Sequence, residues 1–235
     1  MTQTDEKVRQ KLDSFFKQFK PIYYNGGEIL LRADDIPSGV FFLQRGYVRD
    51  YTLSDKGEEL TLIIFKPDDI FPLPWAINNE PIMRYLEAMT PIEVWRVPRE
   101  RFLDFLKQEP SVFLEITSRI LVRLSGLMER MKYLVFGNAY TKVISIILIC
   151  ADRFGEKKEE GIEIQVPLTH KEIALLVGMN RETASRMLEK LMAKGLIAYH
   201  GKLLTLIGGG EKLKEEALAH GAKRKSSKAG IGKIK

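Results

Sequence analysis

Residues 168–206 have the sequence LTHKEIALLVGMNRETASRMLEKLMAKGLIAYHGKLLTL. Thr169 followed by Glu172 forms a capping box, which predicts that a helix begins at this point. Gly178 suits a sharp turn at positive φ, and Asn180 is a good N-cap for a second helix. The two short apolar runs at the end of the stretch flank a glycine turn and predict a β-hairpin. This order predicts a helix-turn-helix followed by a wing.

The exposed face of the second predicted helix carries side chains suited to base edges in the major groove of DNA. An arginine donates two hydrogen bonds to guanine, and a glutamate accepts from cytosine N4. The alternative is a solvated helix face, which is what most charge runs mean when they stand alone. The turn, the cap and the wing favour double-stranded DNA as the partner. The candidate base contacts are Arg181, Glu182, Ser185 and Arg186.

This stretch resembles the DNA-binding domain of the cyclic-AMP receptor and fumarate-nitrate regulator (Crp-Fnr) family of bacterial transcription factors. The resemblance rests on the run from Arg181 to Arg186, on Gly195-Leu196-Ile197 and on His200-Gly201-Lys202, and it extends more loosely over residues 20–206. It implies a transcription regulator whose candidate partners are double-stranded DNA, a second copy of the chain, RNA polymerase and a small-molecule effector. By the same resemblance, phosphates are contacted by Thr169, His200 and Lys202.

The N-terminal half is predicted to be an antiparallel sandwich or roll, because short runs of β-branched and aromatic residues recur at near-regular spacing. The resemblance implies a cyclic-nucleotide-binding-like β-roll, so the fold class is α+β. The predicted strands are residues 28–32, 39–44, 47–53, 59–65 and 92–97.

One stretch departs from the pattern of the nucleotide-binding members of that family. They place Gly-Glu-Leu at the start of a short helix, followed by an arginine and a small residue. Here the stretch reads Phe-Pro-Leu-Pro-Trp over residues 71–75, and the arginine is followed by tyrosine. The prolines remove backbone donors from the anion site, so we expect an effector other than cyclic AMP. An aromatic effector pocket and a filled core remain alternatives for Phe71, Trp75, Arg84 and Tyr85.

A heptad-like stripe follows Pro110 and predicts a long helix whose apolar seam joins two copies of the chain. An intrachain core helix shows the same stripe more often, but a helix-turn-helix normally reads two half-sites. The seam residues are Phe113, Ile116, Ile120, Leu124, Leu127, Met131 and Leu134. Gly137-Asn138-Ala139 then breaks the helix and is predicted to be a hinge.

Composition gives further expectations about the class of protein. The longest apolar run, residues 143–151, is shorter than the roughly 20 residues of a membrane span and predicts a buried helix. The polar N-terminus and the single cysteine, Cys150, suit a cytoplasmic protein without disulfides. We expect no metal, cofactor or enzymatic activity, because the sequence lacks a phosphate loop, a nucleophile elbow and a metal-ligand cluster.

The predicted organisation is a β-roll sensor domain at 1–110, a dimerisation helix at 111–137 and a winged helix-turn-helix at 138–208. Residues 209–235 contain eight basic and three acidic residues, so they contribute +5 to the chain's net charge of +6. They are predicted to be a disordered basic tail. The leading function is a homodimeric, sequence-specific transcription regulator. The alternative is a ligand-binding or interaction module with the same fold that no longer regulates transcription.

Overall fold

The computed structural model describes the backbone of residues 3–228 and the side chains of residues 6–220. The chain divides into two compact units, residues 1–124 and 125–235, and the division falls inside one long helix. In the described part of the chain, no helix has both the length and the apolar content that a membrane span requires.

The first unit contains two four-stranded antiparallel sheets and three helices that precede the long one. The sheet orders are β1-β8-β3-β6 and β2-β7-β4-β5, which confirms the predicted β-roll. The elements are α1 (Gln3–Phe16), β1 (Pro21–Tyr24), β2 (Ile29–Leu31), β3 (Val40–Arg45), β4 (Val48–Leu53), β5 (Glu59–Phe65), β6 (Ile70–Phe71), α2 (Leu73–Asn78), β7 (Tyr85–Ala88), β8 (Ile92–Val97) and α3 (Arg99–Gln108).

Alternation along β3 divides the core of this unit into two layers. Phe42 packs in a cluster with Phe16 of α1 and Phe102 of α3. Phe41, its neighbour, points to the other face, where it packs with Phe71 and Leu86 between the two sheets. Successive side chains of a strand point to opposite faces, so one strand serves both layers. Helices α1, α2 and α3 and the short strands β1, β6 and β7 were not predicted.

The long helix α4 (Pro110–Phe136) is followed by the elements of the second unit. The sheet of the second unit has the order β11-β12-β10-β9. The predicted wing hairpin, β11-β12, is therefore extended by a second hairpin, β9-β10. The elements are α5 (Ala139–Phe154), β9 (Gly155–Lys158), β10 (Gly161–Ile164), α6 (His170–Val177), α7 (Arg181–Ala193), β11 (Ile197–His200), β12 (Leu203–Ile207) and α8 (Glu211–Lys228).

The predicted break after the long helix is present in the structure. Helix α4 ends at Phe136, and the side chain of Asn138 accepts a hydrogen bond from the backbone N–H of Thr141 at 2.9 Å. Asn138 is therefore the N-cap of α5, which carries the apolar run 143–151 as a buried helix.

The structure differs from the predicted disordered tail, because residues 211–228 form α8. Leu213 is buried, and the Glu216 carboxylate accepts a hydrogen bond from the Tyr140 hydroxyl at 2.9 Å. The side chain of Lys194, which follows α7, also donates to Glu216. The prediction was wrong because it rested on the composition of the residues after 220. Residues 211–220 are rich in good helix formers and include the buried Leu213. Residues 229–235, the rest of that predicted tail, lie outside the described residues.

Candidate nucleic-acid interface and sensor-domain site

The two helices of the candidate interface begin and end where the capping residues predict. The Thr169 side chain accepts from the Glu172 backbone N–H at 3.2 Å, and its hydroxyl donates to the Glu172 carboxylate at 2.9 Å. Gly178 ends α6 in the left-handed conformation with φ of 61°. Asn180 caps α7 by accepting from the backbone N–H of Thr183 at 2.9 Å. These caps satisfy backbone donors that a helix start leaves unpaired.

Helix α7 buries one side and presents the other to solvent. On the buried side of α7, Ala184, Leu188 and Leu191 are fully inaccessible to solvent. The predicted base contacts Arg181, Glu182 and Arg186 are exposed, and Ser185 is half-buried beside them. In this structure the Arg186 guanidinium donates to the Thr183 hydroxyl at 3.2 Å, a surface contact on the same helix. The structure thus brings all four residues together on the first two turns of α7.

The predicted phosphate contacts lie at the start of α6 and at the tip of the wing. A backbone hydrogen bond of 3.2 Å joins the N–H of Leu168 to the carbonyl of Lys202, so Thr169 lies next to the wing tip. The wing turns at Gly201, whose φ is 63°. His200 lies 3.5 Å from the Glu160 carboxylate, an ion pair only when the imidazole is protonated.

Two residues that sequence reasoning missed connect α7, the second helix of the motif and the candidate recognition helix, to the wing. Nδ1 of His170 lies 2.9 Å from the Ser185 hydroxyl. The His170 ring packs against the ring of Tyr199 in β11, and the Tyr199 hydroxyl donates to the Leu168 carbonyl at 2.9 Å. Burial raises the pKa of Tyr199. These contacts join residues 15 or more apart, so no local pattern could have indicated them.

A buried arginine of α4 reaches the end of α6 within the second unit. Arg130 is 6% exposed, and its guanidinium donates to the carbonyl of Leu176 near the C-terminus of α6. Positive charge is favourable at that end of a helix dipole. Burial lowers the pKa of Arg130, opposed by the nearby Cys150. Arg130 therefore helps to position the first helix of the helix-turn-helix.

Truncation of Arg130 is expected to destabilise the second unit. Arg130→Ala removes a buried hydrogen bond, leaves a carbonyl without its donor and opens a cavity, at a cost of about 1–3 kcal/mol or more. Lys132→Ala on the same helix removes an exposed side chain paired with Glu129, and is expected to leave the stability of the unit nearly unchanged. Hydrogen exchange of α6 amides measures the difference. Equal protection in the two variants would contradict a positioning role for Arg130.

The apolar face of α4 is broader than the predicted seam. Phe113, Ile120, Leu124 and Met131 are exposed, and Leu127 and Leu134 are half-buried. A further exposed row, at intervals of seven residues and on the adjacent side of the helix, was missed. It consists of Leu114, Leu121, Met128 and Val135. The prediction that Ile116 belongs to the seam is wrong, because Ile116 is buried in the core of the first unit with Phe16 and Phe102.

The predicted effector residues occupy different environments in the first unit. Phe71 is a core residue, packed against Phe65 at 4.6 Å and Phe41 at 5.8 Å between ring centroids. It therefore fills the core, which is the second of the two alternatives that the sequence left open for this residue. Trp75 is half-buried on α2, and Tyr85 stacks on Tyr51 at 5.2 Å.

The start of α2 lacks the features of an anion site. Its N-cap is Pro72, which provides no side-chain cap, and Pro74 occupies its first turn. Neither proline has a backbone N–H to donate. Sequence reasoning identified this loss of donors correctly from the two prolines.

Arg84 is already paired inside the roll. Its Nε lies 3.3 Å from the carboxylate of Asp50, whose side chain is 4% exposed. Burial raises the pKa of Asp50 to about 6, opposed by Arg84 and Arg123. Sequence reasoning missed Asp50, since a carboxylate in a strand is no signal of burial. A phosphate that approached Arg84 would compete with this carboxylate for the guanidinium.

Comparison with known proteins finds a matching protein family for each of the two units. Residues 21–109 match the family model of the cyclic nucleotide-binding domain, and residues 141–215 match that of the Crp-like helix-turn-helix domain. The global nitrogen regulator of a Nostoc strain is 26% identical over 193 residues, covering 81% of this chain and 83% of that protein. The cAMP-activated global transcriptional regulator CRP of Pasteurella multocida is 22% identical over 207 residues, covering 88% and 99%.

Solved structures show the same architecture. A doubly substituted CooA from Carboxydothermus hydrogenoformans aligns with a TM-score of 0.73 and 25% identity, over 87% of this chain and 90% of that one. CLP of Xanthomonas campestris, described as a c-di-GMP responsive global regulator, aligns with a TM-score of 0.70 and 22% identity over 85% and 99%.

A β-roll of the cyclic-nucleotide-binding type and a helix-turn-helix in one chain define a DNA-binding transcription regulator. The chain belongs to the Crp-Fnr family.

Proposed function

We propose that this regulator binds DNA as a homodimer, with α7 of each protomer in the major groove of one half-site. In this proposal base edges are contacted by Arg181, Glu182, Ser185 and Arg186, and phosphates by Thr169, His200 and Lys202. The observation that carries it is the exposed charged face of α7, a helix capped by Asn180 that lies beside a wing. The proposed regulator acts in the cytoplasm by binding, without catalysis, and RNA polymerase is its proposed protein partner.

The exposed face of α4 supports dimerisation as the way to place two recognition helices. Ten apolar side chains of this helix, in two adjacent rows, are exposed or half-buried along about six turns. Apolar surface of this extent on one helix is typical of a face that another copy covers. A symmetric dimer reads an inverted repeat, so the proposal also specifies the form of the DNA site.

Selection of binding sites from a randomised DNA library tests this function. The expected result is an inverted repeat whose half-site centres are about 34–36 Å apart, one helical turn. A sequence enriched as a single unpaired element would contradict the dimeric proposal. Failure to enrich any sequence above random DNA would contradict sequence-specific binding itself.

We also propose that the effector of the β-roll is not cyclic AMP. Leu73 stands where the resembling nucleotide-binding members have a glutamate for the ribose, and two prolines replace amide donors. The guanidinium of Arg84 is already paired with Asp50, so a phosphate would have to share it with a carboxylate. Each of these losses lowers the affinity for a cyclic nucleotide.

Calorimetric titration with cyclic AMP up to millimolar concentration is expected to give no saturable heat in the micromolar range. The control is binding of the same preparation to its selected DNA site, which shows that the protein is folded and active. A saturable signal that disappears in Arg84→Ala would overturn this proposal, since it would show that Arg84 holds the phosphate despite Asp50.

A further inference from the structure

The hydroxyl of Ser185 is held by an imidazole from the other helix of the motif. Its Oγ lies 2.9 Å from Nδ1 of His170, the first residue of α6. The same ring packs on Tyr199 of the wing, at 5.5 Å between centroids. The hydroxyl of Tyr199 is in turn bound to the Leu168 carbonyl. The imidazole therefore lies in a defined position between the recognition helix and the wing.

The chemistry of this pair limits what the serine can do at a base edge. A hydroxyl has one proton to donate and lone pairs to accept with, so a freely rotating serine bonds to any base. If Nδ1 carries no proton, the hydroxyl of Ser185 must donate to it and has only lone pairs left for DNA. If Nδ1 is protonated, the hydroxyl accepts from it and its own proton is available to a base.

We propose that His170 is a specificity-determining residue of the interface, which fixes the direction of the hydrogen bond between Ser185 and DNA. In the bound complex Nδ1 accepts the serine proton, and Ser185 accepts from the exocyclic amino group of adenine or cytosine. The inference rests on the proposed function, because it assumes that Ser185 faces a base.

The direction follows from what surrounds the ring on DNA. His170 directly follows Thr169 at the start of α6, where backbone donors and the helix dipole favour a phosphate. Nδ1 faces Ser185, so Nε2 is the ring nitrogen left to face a phosphate, and it carries a proton there because phosphate oxygens only accept. In the proposed complex this is the single proton of the ring. Nδ1 is then the acceptor, and the proton of Ser185 is the donor that it meets.

The first test is the base preference at the position that Ser185 reads. Fluorescence anisotropy compares all four base pairs at each position of the selected half-site, for the wild type and for Ser185→Ala. The position that Ser185 reads is the one at which Ser185→Ala loses the base preference of the wild type. There the wild type is expected to bind adenine or cytosine roughly three- to tenfold more tightly than guanine or thymine, which is the net effect of one hydrogen bond. A preference for guanine or thymine, or no position affected by Ser185→Ala, would overturn the inference.

The second test removes the imidazole nitrogen. His170→Phe keeps a ring against Tyr199 but frees the hydroxyl, so the preference is expected to fall below about twofold. His220→Phe, in α8, is the matched control and is expected to keep the wild-type preference. The double variant His170→Phe/Ser185→Ala should show the same base preference at this position as Ser185→Ala alone. An unchanged preference in His170→Phe, or independent effects in the double variant, would contradict the coupling.

A measurement on the wild type keeps the inference testable if His170→Phe does not fold. Nitrogen-15 chemical shifts of the His170 ring in the DNA complex distinguish a proton on Nε2 from one on Nδ1. A proton on Nε2 alone is expected, and a proton on Nδ1 would overturn the inference. If the wild type selects no DNA sequence at all, it is the proposed function that fails, whereas a selected site with the wrong preference refutes only the role of His170.

Discussion

Lysine in place of Leu124 is expected to leave the protein monomeric and to abolish tight binding to a paired half-site. Leu124 lies in the middle of the apolar face of α4 and is 47% exposed, so a single chain tolerates the change. In a dimer, two charges would have to be buried against each other in an apolar seam. The loss of bivalent binding is expected to lower the affinity for paired half-sites about 100- to 10,000-fold.

Val122→Lys is the matched control, because Val122 is exposed on the opposite side of the same helix. Sedimentation should show dimers for the control and monomers for Leu124→Lys. Anisotropy on a DNA with a single half-site should give similar affinities for both variants. Dimers of Leu124→Lys with unchanged binding to paired half-sites would show that the interface lies elsewhere.

Asparagine in place of Asp50 is expected to change how the stability of the first unit depends on pH. The folded-state pKa of Asp50 is raised to about 6 by burial, so the ionised carboxylate is less stable in the folded chain than in the unfolded one. Its contribution to the free energy of unfolding is therefore greatest below about pH 4 and declines as the pH rises to about 6. Above that it is constant. A shift of about two units corresponds to at most on the order of 3 kcal/mol.

Urea unfolding between pH 4 and 7 measures this dependence. Trp75 and Trp95 are the two tryptophans of the chain and both belong to the first unit, so their fluorescence reports on that unit. Relative to the wild type, Asp50→Asn should gain stability as the pH rises through the window. Asp55→Asn, in the exposed turn between β4 and β5, is the control and should follow the wild type. Parallel curves for Asp50→Asn and the wild type would refute the assigned burial cost.

The helix-turn-helix could be predicted because its signals are local. A capping threonine, a glycine at positive φ and a capping asparagine each act within a few residues, and each is found in its predicted role. Short runs of β-branched and aromatic residues indicated five strands of the β-roll for the same reason. Strand β6, with two residues, is too short to show a period.

The errors arise where the outcome depends on distant partners or on an averaged composition. Ile116 follows the pattern of the seam, yet it packs in the core of the first unit. Whether Phe71 fills the core or lines a pocket could likewise be decided only by the tertiary fold. The pairs Asp50–Arg84 and His170–Ser185 join elements that only the tertiary fold brings together. The predicted tail averaged a helix-forming segment with the basic, glycine-containing residues after it, and so missed α8.

Arg186→Ala tests whether α7 reads base sequence. Anisotropy is measured on the selected site and on random DNA, with Lys190→Ala, an exposed cation one turn further along α7, as the control. Loss of a bidentate base contact of about 1–3 kcal/mol weakens binding to the selected site roughly 5- to 150-fold. We predict that loss for Arg186→Ala, little change on random DNA, and small, equal effects for Lys190→Ala. Equal weakening of both DNAs by Arg186→Ala would show that Arg186 does not read a base.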